Sequence, residues 1–180
     1  MSVKAGLILD KVRLQLNDSQ KTAKSDWEIF QYISDALREF AEECARVDDK
    51  TGTFTAKTSL VMSAGGCALP EEFIKISRAF GPTGEELLRV FSDVPKAGEF
   101  AMRGTQLLSG ETSVTLYYYC YPAPVNNYSD MIAIPNSMLL PLVKVASYFA
   151  NGNDSAAAVT SQYFSGQSVK ASDSSTSKEG

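Results

Sequence analysis

Residues Ser25 to Arg46 read SDWEIFQYISDALREFAEECAR, and the rest of the chain is understood from this stretch outward. Trp27, Phe30, Ile33, Leu37, Phe40 and Cys44 recur at helical spacing, while Asp35, Arg38, Glu39, Glu42 and Glu43 take the opposite face. Ser25 and Glu28 have the spacing of a capping box, in which each side chain satisfies a free backbone N–H of the first turn. The pattern predicts an amphipathic helix over 25–46 with Trp27 inside the core.

Toward the N-terminus, Val3, Leu7, Leu9, Val12, Leu14 and Leu16 keep a partial helical spacing, so a short helix is expected over 3–16. Asn17 and Asp18 end it, and 19–24 are a polar loop. Toward the C-terminus, Pro135 suits a first helical turn, and Met138, Leu139, Leu142, Val143, Ala146, Phe149 and Ala150 predict a helix over 136–150. Asn151, Gly152 and Asn153 stop it, and Pro141 is expected to kink it or delay its start. Asp154 can cap a last helix over 154–164. The expected core is Trp27, Phe30, Leu37, Phe40, Leu142, Val143 and Phe149.

Between these helices the pattern changes to strands and turns. Thr51 to Met62 is rich in Thr, Val and Phe, and Ala64 to Gly66 form a turn. A hairpin is expected with arms Phe73 to Phe80 and Glu85 to Phe91 around Gly81–Gly84. Strands at 101–108 and 112–121 surround Ser109 and Gly110. The expected fold is therefore α+β: a helical bundle from N- and C-terminal helices with an inserted small antiparallel β-sheet. Its expected parts are helices in 1–48, the β-region 49–133, helices in 134–165 and a flexible tail 166–180, whose last residues 172–180 carry no apolar side chain.

The chemistry that this composition excludes is as informative as the pattern. Among 180 residues there is no histidine, which removes the commonest general base, the Ser-His-Asp triad and the commonest metal ligand together. Cys44, Cys67 and Cys120 are an odd, widely spaced set, expected to be buried thiols of a reducing cytoplasm and neither a disulfide framework nor zinc ligands. No phosphate-binding glycine motif is present, so no cofactor or metal is expected. The pairs Glu42/Glu43, Asp48/Asp49, Glu71/Glu72 and Glu85/Glu86 fall at helix ends and turns, where solvated charge is expected. A net charge of −4 gives no field for holding nucleic acid or anionic membrane, and no run is long enough to span a bilayer. The Leu7–Leu9 run is too short for the core of a signal peptide.

YYYCYPAP, Tyr117 to Pro124, places Tyr117, Tyr119 and Tyr121 on one strand face and Leu116, Tyr118 and Cys120 on the other. A central strand buried on both faces fits this, and so does a protein interface built on the tyrosine face. A stacking platform for single-stranded nucleic acid is disfavoured, since no Lys or Arg occurs between Arg103 and Lys144. A carbohydrate- or ligand-binding module using this strand is an alternative function, and a hydrolase built on carboxylates is a further one.

The helix SDWEIFQYISDALREFAEEC, the hairpin entry ALPEEFIKISRAF, the strand ELLRVF, the strand end YYYCYPAP and the helix IAIPNSMLLPLVKVASYFANGN resemble, in order and spacing over about residues 1–165, the head-to-tail adaptor proteins of tailed bacteriophages. The resemblance implies a structural, non-enzymatic virion protein of the neck, made in the host cytoplasm. It implies a homo-oligomeric ring, usually dodecameric, under the portal protein, with the β-region toward a tail or nozzle protein and DNA only passing through. By the same resemblance the C-terminal segment docks on the portal, with Tyr163 and Phe164 as anchors beside Val169 and Lys170. The sizeable sheet differs from a purely helical adaptor, and a related neck or tail-completion protein is the alternative within this class.

Overall fold

The computed structural model describes residues 2–49, 51–63, 66–154 and 156–173. The chain is α+β, with four helices and mostly antiparallel sheets among the described residues, and it divides into two compact units, Met1–Thr53 with Pro122–Gly180, and Phe54–Tyr121.

In the first unit, strand β1 (Ser2–Lys4) leads into α1 (Ala5–Gln15), followed by α2 (Asp26–Val47). After the second unit come β9 (Met131–Ala133), α3 (Asn136–Ala150) and α4 (Ala157–Asp173). The expected capping box forms as drawn: Glu28 N–H donates to Ser25 Oγ at 3.2 Å, and Ser25 N–H donates to Glu28 Oε2 at 2.7 Å. Ile8, Leu9 and Val12 of α1, Ile29, Phe30, Ile33, Leu37 and Phe40 of α2, and Met138, Leu142 and Val143 of α3 are buried. α2 packs on α1, α3 and α4, and α3 also packs on α1 and α4.

Trp27 departs from the expectation. It is 65% exposed. It sits in the first turn of α2, and at ~100° of rotation per residue it lies roughly 100° from the middle of the buried stripe. The three-residue step to Phe30 put it on the stripe in sequence, but Phe30 lies to one side of the stripe's middle and a further step outward reaches its flank. Phe149, also expected inside, is half-buried. Trp27→Ala should therefore change stability by no more than about 0.5 kcal/mol, as for other exposed side chains. A thermal melt showing a loss of several kcal/mol would place Trp27 in a core after all.

Residues 2–4 are extended, not helical. Val3 pairs with Ile132 across β1 and β9, and both are buried. Pro141 lies inside α3 without delaying it, and Pro135 is the residue before the first helical turn. α4 runs to Asp173, well past Phe164. Part of the tail expected at 166–180 is thus helical backbone, and 174–180 lie outside the described residues.

The second unit holds two sheets in place of the single one expected. β2 (Thr55–Val61), β8 (Ser113–Cys120) and β4 (Phe73–Phe80) form a sheet in the order β2-β8-β4. β3 (Gly66–Ala68), β7 (Gln106–Ser109), β6 (Glu99–Arg103) and β5 (Leu88–Arg89) form the other, in the order β3-β7-β6-β5, with β5 parallel to β6. Val114, Leu116 and Tyr118 of β8 form a core with Ala79, Leu87, Phe100 and Leu107. The expected 73–91 hairpin closes at its turn, where Gly81 N–H donates to Glu85 O and Leu87 N–H to Ala79 O, but β5 then pairs with β6. The expected 101–108 strand is broken into β6 and β7 by Gly104, whose φ of +60° a glycine adopts without strain.

Candidate interaction surfaces

β8 is the central strand that its composition predicts, and its tyrosines have separate fates. Tyr119 is 2% exposed, Tyr121 is half-buried and Tyr117 keeps an open edge. Tyr117 meets Phe80 edge-on at 5.6 Å, and Lys57 Nζ lies 5.1 Å from its ring centre. Tyr118, on the other face, donates its hydroxyl to Glu72 at 2.8 Å, and burial pushes it up to about 12. The three tyrosines therefore form no continuous flat platform. The register does bring Lys57 and Arg78 opposite Tyr117 from the two flanking strands. Counting basic residues along β8 alone could not have found them, because cross-strand neighbours are distant in sequence.

Tyr163 and Phe164 are turned inward. Their rings stand 5.7 and 6.2 Å from Phe40 and 5.0 Å from each other, and the Tyr163 and Ser137 hydroxyls lie 3.0 Å apart. A cavity of about 90 Å³ lies beside them, against Met138 and Pro135. Ser161 Oγ donates to Glu43 at 3.2 Å, and Glu43 accepts two hydrogen bonds of 2.6 Å from Arg46. That arginine holds the Glu43 carboxyl below its usual range. Glu43 is buried, so the expectation of a solvated pair with Glu42 fails at this position: the last turn of α2 is covered by α4. Val169 and Lys170 fall on α4, where only the backbone is described.

The loop between α1 and α2 is held by a residue that no pattern singled out. Arg13 is buried, and its guanidinium donates to Asp18 at 2.6 Å, to the Lys24 carbonyl at 3.0 Å and to Asp26. Asp18 also accepts from the backbone N–H groups of Ala23, Thr22 and Lys24, which, led by Ala23, lower its carboxyl below the usual value. Tyr128 donates to Asp26 and is the main cause of that carboxyl's lowering, with Arg13 next.

Two surface features remain. An open groove of about 490 Å³ runs between α2 and the end of α3, with Tyr32 and Phe149 among its walls. Asp35, Glu39, Glu42 and Asp154 line it against a single guanidinium, Arg38. Burial, with Glu42 and Glu43 nearby, raises the Glu39 carboxyl above its usual range. In the second unit the loop after β5 carries Phe91, 98% exposed, and Val94, 81% exposed.

Of the cysteines, which are all free, Cys44 is buried, as expected, whereas Cys67 and Cys120 are half-buried. Burial raises the Cys44 thiol to about 12, which makes it a poor nucleophile. No group of acids and cysteines placed to hold a metal occurs among the described residues, and none of their helices is long and apolar enough to cross a membrane.

No curated protein matches the chain. A family model described as SU10 adaptor protein matches residues 3–177. That span takes in both units and every described helix, and it agrees with the resemblance to phage head-to-tail adaptors carried by the motif order. This chain belongs to the SU10 adaptor protein family.

Proposed function

We propose that the chain is a non-catalytic head-to-tail adaptor of a tailed bacteriophage, one subunit of a ring in the virion neck between portal and tail. The observation that carries this reading is the family match across nearly the whole chain. In this reading the helices of the first unit form the bundle, and the β-unit that interrupts it in sequence reaches the tail or nozzle protein. Copies close into a dodecamer, the number implied by the resemblance, around a channel through which DNA passes. A net charge of −4 suits that passage, since a strongly basic wall would hold the DNA.

The portal contact is proposed for the end of α4. Tyr163 and Phe164 fasten the first half of this helix to Phe40, so the segment beyond them, with Val169 and Lys170, is the part offered to the portal. Removing residues 166–180 should leave the melting temperature nearly unchanged, because the described core lies before them. It should abolish assembly on a portal, seen by electron microscopy or mass measurement. A truncated chain that assembles like the full one would remove this segment from the mechanism.

A further inference from the structure

The loop that follows β5 is built as a projection. Val90 N–H donates to Phe100 O at 2.8 Å on its incoming side, and Pro95 is buried on its outgoing side. Val94 N–H donates to Ser92 Oγ at 3.2 Å, and Asp93 lies 3.9 Å from Arg103. Between these supports Phe91 and Val94 stand almost wholly in solvent, with the Arg89 guanidinium 5.8 Å from the Phe91 ring. An ordered aromatic held in water beside a cation loses the benefit of burial unless something covers it.

The groove on the first unit has the opposite character: aromatic walls from Tyr32 and Phe149, and four carboxylates to one guanidinium. Its volume admits an aromatic side chain and a guanidinium together. Resting on the adaptor reading above, we propose that the Arg89–Val94 loop of one copy seats in the Tyr32/Phe149 groove of the next, Phe91 against the aromatic walls and Arg89 facing Asp35, Glu39 and Asp154, with Asp93 held back on Arg103. A second copy is the occupant because projection and recess lie on one chain with complementary charge. A patch and a pocket at different places on one molecule make a heterologous contact, which repeats from copy to copy and closes into a ring when the rotation allows.

The test follows assembly of the full chain, alone by sedimentation velocity and on a portal by electron microscopy, for wild type, Phe91→Ser, Arg89→Glu, Glu39→Arg and the double Arg89→Glu/Glu39→Arg. Phe91→Ser is expected to weaken association by about tenfold or more, and it cannot disturb a core it does not touch. Each charge reversal should weaken it, and the double should recover much of the loss, because the charges then face each other with exchanged sign. A wild type that assembles while Phe91→Ser and Arg89→Glu assemble equally well overturns the contact and leaves the adaptor reading standing. A wild type that assembles neither alone nor on a portal overturns both. Single reversals that weaken assembly without recovery in the double also overturn the pairing.

Discussion

Phe40→Ala is expected to destabilise the helical unit by about 3 to 5 kcal/mol, the cost of truncating a fully buried large aromatic. Phe40 is 0% exposed, and it does more than fill space in α2. Both aromatic rings of α4 pack on it, so its loss removes the surface that holds that helix. α4 also packs on α3, and among its described side chains Ser161 bonds to Glu43 and Tyr163 to Ser137. For a chain of this size the loss corresponds to roughly 10 °C in melting temperature. Amide exchange should also quicken in α4 before it does in α1 or α3. A change below about 1 kcal/mol would mean that the α2–α4 contact contributes far less than its packing indicates.

Arg13→Met should also cost on the order of 10 °C, for an electrostatic reason. The substitution keeps most of the aliphatic bulk but leaves the Asp18 carboxylate, whose side chain is 2% exposed, without its cation. It also releases the Lys24 carbonyl and Asp26, so the 17–25 loop keeps backbone bonds to α1 but loses these side-chain ties. Lys21→Met is the control, because that lysine is mostly exposed and surface pairs contribute little. The pH dependence has a definite sign. The Asp18 and Asp26 carboxyls lie below their unfolded values, so their contribution is present above about pH 4 and is lost as pH falls through the folded values. Arg13→Met should make that acid-side fall in melting temperature shallower, since one cause of the lowering is gone. A variant that melts within about 2 °C of wild type at neutral pH would show that the backbone donors alone hold Asp18.

The sequence reading succeeded where structure is set within one or two helical turns. The capping box at Ser25 and Glu28, the bounds of α2 and α3 to within a residue or two, and the central place of β8 were all visible in spacing and composition. It failed where a residue's fate depends on partners far along the chain. Trp27 matched the apolar period yet lies on the flank of α2, and Arg13, an unremarkable charge in a short helix, is buried on Asp18, the Lys24 carbonyl and Asp26, the last of which also accepts from the distant Tyr128. Glu43 looked like half of a solvated pair until α4 covered it.

The sequence by itself determined the α+β class, the existence and most of the bounds of the helices and the absence of histidine chemistry. The order of its motifs carried the adaptor resemblance with which the family match agrees. Tertiary structure alone decided which strands pair, that the β-region divides into two sheets with β5 crossing to β6, which tyrosines are covered, and that Tyr163 and Phe164 face Phe40. The division has one physical cause. Periodicity and caps are satisfied by neighbours a few residues away, so they are written locally. Strand pairing and burial are instead won in competition among segments distant in sequence, whose outcome depends on how all of them pack at once.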